Sequence, residues 1–449
     1  MRRFAPVAEL ARLDRASPDF RRCSSGGRPS ALSTHDWYPV SVSAPPPAQS
    51  ARSATPFPYL GLLALAGAIF VSITSEFLPT GLLPAMARDL DVGLSTAGYL
   101  VTVFAGTVVV ATTPLAAVTQ RYSRKSLVVV VLVVIALANV LAAIAPTYAL
   151  LVAARILGGL GHGLFWAVVS AYSAHLVPAH QLGKAVAITA GGGTAAFVLG
   201  VPVGTAIGNA FGWRTAFIII GVVVAVLALV IVKFLPPVNH HVERKVGEER
   251  TPLSRDPSFR AVTLLCVVIL LLLTGQNTFY TYIAPWLTEV SSFEQSSVAL
   301  VLFLYGGAGI IGLVAAGYAA DRFPRRAFVG AVLGIMAAVL VLALATTNTV
   351  VVLIAVIVWG AAFGGLPAML QTRMLRTASI RMRDLSAAFQ TTAFNLGIGV
   401  GALLGGLLLD GVGLEILPYL MIGLVAASLA LSLATDRVRD RRERRRLRP

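Results

Sequence analysis

The chain has 449 residues, of which 57% are hydrophobic and only 12% charged, with a mean hydropathy of +0.80. Soluble domains carry about 25% charge, so composition excludes a soluble globular protein and points to an integral membrane one. The net charge of +16 sits in the tails and in every second loop, a topology pattern rather than a nucleic-acid footprint.

In chain order, residues 1–56 are rich in Arg, Ser and Pro, without the apolar h-region and cleavage site of a signal peptide. They read as a disordered cytoplasmic extension, or as an over-long start. Twelve apolar segments follow, near 57–82, 95–119, 126–145, 149–172, 184–209, 213–235, 259–284, 297–320, 327–346, 349–372, 384–409 and 413–434. Each is about 20 residues or longer, enough to cross roughly 30 Å of hydrocarbon as a helix. A polar stretch at 236–258 separates six spans (57–235) from six more (259–434) and reads as a cytoplasmic linker. Residues 435–449 form a basic tail suited to an anionic inner leaflet. The expected fold is therefore all-α, with 12 transmembrane helices in two six-helix bundles. Cys23 and Cys266 show no metal or disulfide spacing.

The loops after spans 2, 4, 6, 8 and 10 carry Lys and Arg: Arg121, Arg124 and Lys125; Lys184; Arg244, Lys245 and Arg250; Arg322, Arg325 and Arg326; and Arg373, Arg376, Arg381 and Arg383. The intervening loops, such as 145–147 and 346–348, carry almost no Lys or Arg, and the exceptions to the pattern are Arg88, Arg155 and Arg214. Positive residues stay cytoplasmic, which places both termini there.

The two halves repeat. "TQRYSRKSLVVVV" at 119–131 matches "ADRFPRRAFVGAV" at 320–332, with Arg121, Arg124 and Lys125 answering to Arg322, Arg325 and Arg326 at an offset of 201 residues. The same offset pairs Pro84 with Pro285, Gly159 with Gly360, Gly163 with Gly364, Gly204 with Gly405 and Gly212 with Gly413, whereas Gly208 meets Leu409. A parallel repeat of this kind places substrate between the halves near the bilayer midplane.

"GYAADRFPRR", from Gly317 to Arg326, reads G-x-x-x-D-R-x-x-R-R. On this motif the chain resembles the major facilitator superfamily over residues 57–434. The resemblance implies a cytoplasmic gate in which Asp321 holds an arginine in one conformation and releases it in the other. The first-half copy departs from the pattern, with Ala116, Gln120 and Ser123 where the family shows Gly, Asp and Gly. Its cations fix the cytoplasmic side and can meet carbonyls at helix C-termini. Gly200, Gly204, Gly208 and Gly212 in span 5 recur every four residues, one face of a helix on which backbones approach closely in lipid. Pro202 inside that run removes a backbone donor and kinks the helix. This stretch resembles the antiporter motif of drug:proton exporters, with Val201 inserted between the Gly and the Pro.

Glu76 in span 1 and Arg155 in span 4 lie inside apolar runs. An intramembrane ionisable group costs at least about 2.5 kcal/mol and is a functional candidate by default. Glu76 is a proton-exchange candidate or a structural hydrogen-bond residue. Arg155 is either a partner for ionised Glu76 or a helix-start anchor, and the resemblance links an Arg at this place to proton coupling. His162, a turn or two below Arg155, is a second titration candidate, or a packing or interhelical hydrogen-bond residue beside its glycines. Candidate substrate contacts are Phe77, Trp166, Gln276, Asn277, Tyr280, Phe394 and Asn395, a mix of rings and amides that suits neutral amphipathic molecules.

The chain has no G-x-x-x-x-G-K-[ST] phosphate loop, no H-E-x-x-H metal pair and no G-x-S-x-G elbow. Together "TSEFLPTGLLPAMARDL", "ARILGGLGHGLFWAVV" and "GVPVGTAIGNAFGWR" are similar to bacterial 12-span drug:proton antiporters, a group that includes chloramphenicol, sugar and purine-nucleoside exporters. The resemblance implies a monomer in the bacterial inner membrane, driven by the proton gradient without a cofactor. Sugar or nucleoside uptake, a membrane enzyme and a non-transporting sensor are the rival readings.

Overall fold

The computed structural model describes residues 58–119, 121–176, 181–235 and 256–446. The expected extension at 1–56 and most of the linker lie outside these residues. Inside a bilayer every backbone polar group must be satisfied within the chain, and the apolar segments meet that demand as helices.

All twelve expected spans are present, as helices long and apolar enough to cross a membrane. Nine are single helices: α1 (Tyr59–Asp89), α2 (Leu94–Thr119), α3 (Arg124–Ala143), α4 (Tyr148–Leu176), α7 (Trp213–Phe234), α10 (Val298–Arg322), α11 (Pro324–Leu344), α14 (Arg383–Gly411) and α15 (Leu417–Arg446). Spans 5, 7 and 10 are each built from pieces. In span 5, α5 (Leu182–Ala195) passes through a π-helical turn at Ala196–Gly200 into α6 (Val201–Phe211). Span 7 is α8 (Phe259–Tyr280), then α9 (Ile283–Pro285) and a π-helical turn at Trp286–Val290. Span 10 is α12 (Thr349–Gly364) followed by α13 (Leu366–Thr377). A proline stands at each break: Pro202, Pro285 and Pro367. Each lacks the N–H that would close the preceding turn, and the ladder widens or restarts there.

Several boundaries differ from expectation. α1 runs on to Asp89, past Pro79 and Pro84. The expected tail continues the last span, since α15 is helical to Arg446. Ser123, which replaces a family glycine, is the N-cap of α3: its hydroxyl accepts the Ser126 N–H at 3.1 Å.

The repeat survives in the packing. A β-carbon added at Gly159 of α4 would overlap the Phe104 carbonyl of α2, and one added at Gly360 would overlap the Tyr305 carbonyl of α10. Gly163 lies against Val108, and Gly364 against Gly309. Each partner is again displaced by the 201-residue offset.

The halves meet along two helix pairs. Between α2 and α14, Thr102 Oγ1 donates to the Gly399 carbonyl at 3.1 Å. Between span 5 and α10, Gly306 backs onto Phe197, and Asn209 and Gln295 exchange hydrogen bonds of 2.9 and 3.3 Å. These contacts run from mid-depth to the charge-poor end. Towards the basic end, Ala387, Ala388 and Phe389 of α14 are all exposed. Three consecutive residues span about 200° of a helix circumference, so this end of α14 is unpacked on more than its outer face. The halves part at the basic end and close at the other.

Candidate functional site

Pro79 in α1 has no N–H to give the carbonyl of Ser75, four residues earlier. Arg155 of α4 supplies the missing donor: its Nη1 lies 2.9 Å from the Ser75 oxygen, and its Nη2 lies 2.8 Å from the Glu76 oxygen. The guanidinium also stacks on the Phe104 ring, 4.2 Å from the centroid. Arg155 is only 3% exposed, so it is no helix-start anchor at a membrane surface. Its hydrogen bonds to Glu76 go to the backbone carbonyl.

The Glu76 carboxyl turns instead toward His162, with Oε2 3.4 Å from Nε2. Both side chains are buried, at 4% and 2% exposure. His162 has further partners on each side. Ser72 Oγ lies 2.8 Å from Nδ1, and Trp166 Nε1 donates to Nε2 at 2.8 Å. Because Nε2 accepts the indole N–H, the remaining imidazole proton sits on Nδ1 and points to Ser72. Glu76 Oε1 is buried without a hydrogen-bond partner among the described residues. Behind the cluster, Ser75 Oγ donates to Asn139 Oδ1 at 3.0 Å. Glu76, Arg155, His162 and Trp166, singled out in sequence, thus come together. Ser72, Asn139 and Phe104 were missed; Asn139, a lone amide in an apolar span, was the readable signal.

Across the interior, Phe77 lies 4.9 Å from Phe197 and 6.4 Å from Tyr280, centroid to centroid. Tyr280 packs on Tyr305 and Trp359. Gln276 ties that group together, donating to the Tyr305 hydroxyl at 2.9 Å and accepting from Trp359 Nε1 at 3.0 Å. Asn277 and Asn395 each donate to a carbonyl one turn back on their own helix. Asn395 Oδ1 is buried without a hydrogen-bond partner among the described residues, and Phe394 beside it is half-buried. Phe77, Gln276 and Tyr280 therefore belong to one region, whereas Asn277 packs against Gly401 of α14, the helix that carries Phe394 and Asn395.

The span 5 glycines pack on α1. Gly200, Gly204 and Gly208 meet Thr74, Leu78 and Leu82, a matching four-residue register. Gly212 is different: its φ of +91° ends α6. Pro202 is buried at the start of α6, directly after the π turn.

At the basic end, Arg121 contacts Tyr122, and Arg124 and Lys125 are half-buried at the start of α3. Gly317 has open space around it, and Arg322 and Arg326 are exposed. Asp321 lies in the last turn of α10, and its side chain falls outside the described residues. Arg325 and Arg373 share Asp436 of α15, at 3.8 and 2.6 Å, and Arg373 also donates to Ser432 at 2.8 Å. These ion pairs lie within the second half. Asp436 was missed, although an acid just beyond an apolar span was a readable signal.

At the opposite end, Arg214 pairs with Asp89, stacks on Trp213 and donates to the Ala145 carbonyl. That explains one exception to the charge pattern. A pocket of about 400 Å³ opens there, lined by Ala85, Arg88, Asp89, Gly208, Asn209, Gly212, Trp213 and Gln295; the Glu76 cluster is not part of it.

The sequence profile of the major facilitator superfamily matches residues 65–381, and a second match covers 265–449. The chain belongs to the major facilitator superfamily. Crystal structures of a bacterial homologue of the human lysosomal transporter Spinster, inward-facing, share the fold. In the unoccupied form the TM-score is 0.67 at 15% identity, covering 86% of this chain and 98% of that one. In the occupied form the TM-score is 0.66. The human organic anion transporter MFSD10 (TETRAN) gives a TM-score of 0.64 at 16% identity over 84% of this chain and all of the other. This major facilitator is thus a multi-pass membrane protein and a secondary transporter working by alternating access.

Proposed function

We propose that the protein exports a small amphipathic compound in exchange for protons, as a monomer in a bacterial inner membrane with both termini cytoplasmic. The observation that carries this reading is the buried Glu76 carboxyl beside His162, one oxygen without a hydrogen-bond partner among the described residues. A group so placed gains or loses a proton with little rearrangement, and its charge alters the stability of the packing around it. With the basic loops cytoplasmic, the parting of the halves at the basic end makes this the inward-facing arrangement. Residues 57–235 and 259–434 then rock as the two domains about the joining segment 236–258. Proton and substrate bias the two arrangements in opposite senses, as linkage requires. The exposed Arg322, Arg325 and Arg326, with Asp321, Arg121, Arg124 and Lys125, close the cytoplasmic gate in the other arrangement, where Gly317 meets a neighbour. The glycine stripe of span 5 is the antiporter motif, and through its packing on α1 it carries movements of span 5 to the helix that holds Glu76.

The aromatic group around Phe77 and Tyr280 favours a compound with a flat apolar part, of which chloramphenicol is the first to try. The unpartnered Asn395 oxygen favours a second reading, in which the exported compound is a sugar or purine nucleoside whose hydroxyls donate to it. In inside-out vesicles with an acid interior, a pH dye reports proton release when chloramphenicol, other drugs, pentoses or purine nucleosides are added. Release by the wild type and its loss in Glu76→Gln is the expected result. Release that persists in Glu76→Gln would move the proton site, and silence across the panel would overturn export.

A further inference from the structure

Imidazole Nε2 carries a single in-plane lone pair, and in His162 two groups contend for it. The Trp166 N–H holds it at 2.8 Å, and Glu76 Oε2 stands 3.4 Å away. While the indole occupies the lone pair, the carboxyl cannot donate to it, and Glu76 Oε1 has no other hydrogen-bond partner among the described residues. Leaving a buried polar atom unpaired is unfavourable, so the carboxyl is poised to take the indole's place. Ser72, Glu76, Arg155 and His162 are buried, whereas Trp166 is half-buried. It is the member of this group within reach of a molecule from outside the cluster.

We propose that Trp166 is a positioning residue that ties substrate occupancy to the proton on Glu76, resting on the reading of Glu76 as the proton carrier. A molecule that stacks on the indole and turns it draws the N–H away from His162 Nε2. The carboxyl then closes on the freed nitrogen. The Glu76 O–H bond breaks, an Nε2–H bond forms, and the pair becomes carboxylate and imidazolium. When the indole returns it reclaims the lone pair, and the proton goes back to Glu76 or on to water. The charged groups facing this event are Glu76 from α1 and Arg155 from α4. From α2 comes the Phe104 ring, 5.3 Å from the imidazole, and from α3 the Asn139 amide behind Ser75.

The test is infrared difference spectroscopy between acid and alkaline buffer, on the purified full chain in lipid. A carboxylic acid band that vanishes in Glu76→Gln belongs to Glu76. Trp166→Phe keeps a ring and deletes the N–H. The expected result is loss of most of that band, with carboxylate stretching bands in its place, because the freed nitrogen takes the proton of the carboxyl. An unmoved band in folded Trp166→Phe overturns the proposal. Should that variant fail to fold, the unaltered protein supplies the same test by ultraviolet resonance Raman. One indole N–H band is expected to change across the pH range in which the Glu76 band titrates, and unchanged indole bands overturn the proposal. Absence of any band assignable to Glu76 overturns the proton-carrier reading and this proposal with it, which separates the two failures.

Discussion

The hydroxyl of Tyr282 occupies the place where a β-carbon on Gly98 would stand. Tyr282 lies in the break of span 7, between α8 and α9, and is fully buried, donating to the Ala402 carbonyl at 2.8 Å. Gly405 and Gly406 of α14 leave room for the same ring. Gly98 lies in the first half and Tyr282 in the second, so the contact exists only while the charge-poor end is closed. Gly98→Ala should open that end. A cysteine at position 209 should then label several-fold faster with an impermeant maleimide applied to whole cells. Gly106→Ala, where nothing lies within 4 Å, is the control, and equal rates in the two variants would rule the contact out as a closure.

Arg155 is predicted to matter for stability through Pro79. A lysine cannot span two carbonyls with a rigid fork, so Arg155→Lys should lose about 1–3 kcal/mol from an unsatisfied acceptor. Pro79→Ala returns a backbone N–H to the Ser75 carbonyl. In that background the same Arg155→Lys change should lose measurably less in thermal unfolding. Strict additivity of the two changes would mean that the two sites are uncoupled.

Gly204 against Leu78 makes a second pairwise prediction. Gly204→Val overfills the α1–α6 contact and should destabilise by about 1–3 kcal/mol. Leu78→Ala in the same chain vacates the space and should recover part of that loss, read as melting temperature in detergent. A double variant no better than the sum of its parts would show that the side chain escapes elsewhere.

Asp256 provides a pH dependence outside the membrane. Its Oδ1 accepts the Ser258 hydroxyl at 2.6 Å and the Ser258 N–H at 2.8 Å, and its Oδ2 accepts the Ser379 hydroxyl at 2.8 Å. These bonds, the Ser258 hydroxyl first, hold the carboxyl below its ordinary value of 3.8. A depressed carboxylate stabilises fully above the unfolded value and loses its contribution as pH falls through the folded one. The melting-temperature gap between wild type and Asp256→Asn should therefore be constant above 3.8 and shrink below it. A gap that ignores pH would dismiss the carboxylate as its source.

Much of the architecture was legible from the sequence, because crossing a bilayer demands long apolar helices and positive loops mark one side. The glycine stripe told equally well which face of span 5 is packed. Its partner, the Thr74–Leu78–Leu82 row, was not legible, since any apolar helix offers such rows and only the register selects one. Arg155 shows a different limit. Sequence pairs opposite charges, so Glu76 looked like its partner through the carboxylate. The stronger demand came from a proline that leaves a carbonyl bare, and that demand appears only once helix meets helix. Pro84 and Pro285 make the same point, for they share a repeat position, yet α1 runs through the first and span 7 breaks around the second.

The last helix has a mechanical consequence. At 1.5 Å per residue, the 30 residues of α15 reach about 45 Å, and the hydrocarbon is only about 30 Å deep. The surplus is a stiff rod, pinned near its root where Asp436 meets Arg373 and Arg325. Such a rod is a lever arm, and a few degrees of tilt in the second half become ångströms of travel at its tip. A fluorophore placed near Arg446 would read the transport cycle as displacement, with no label inside the membrane.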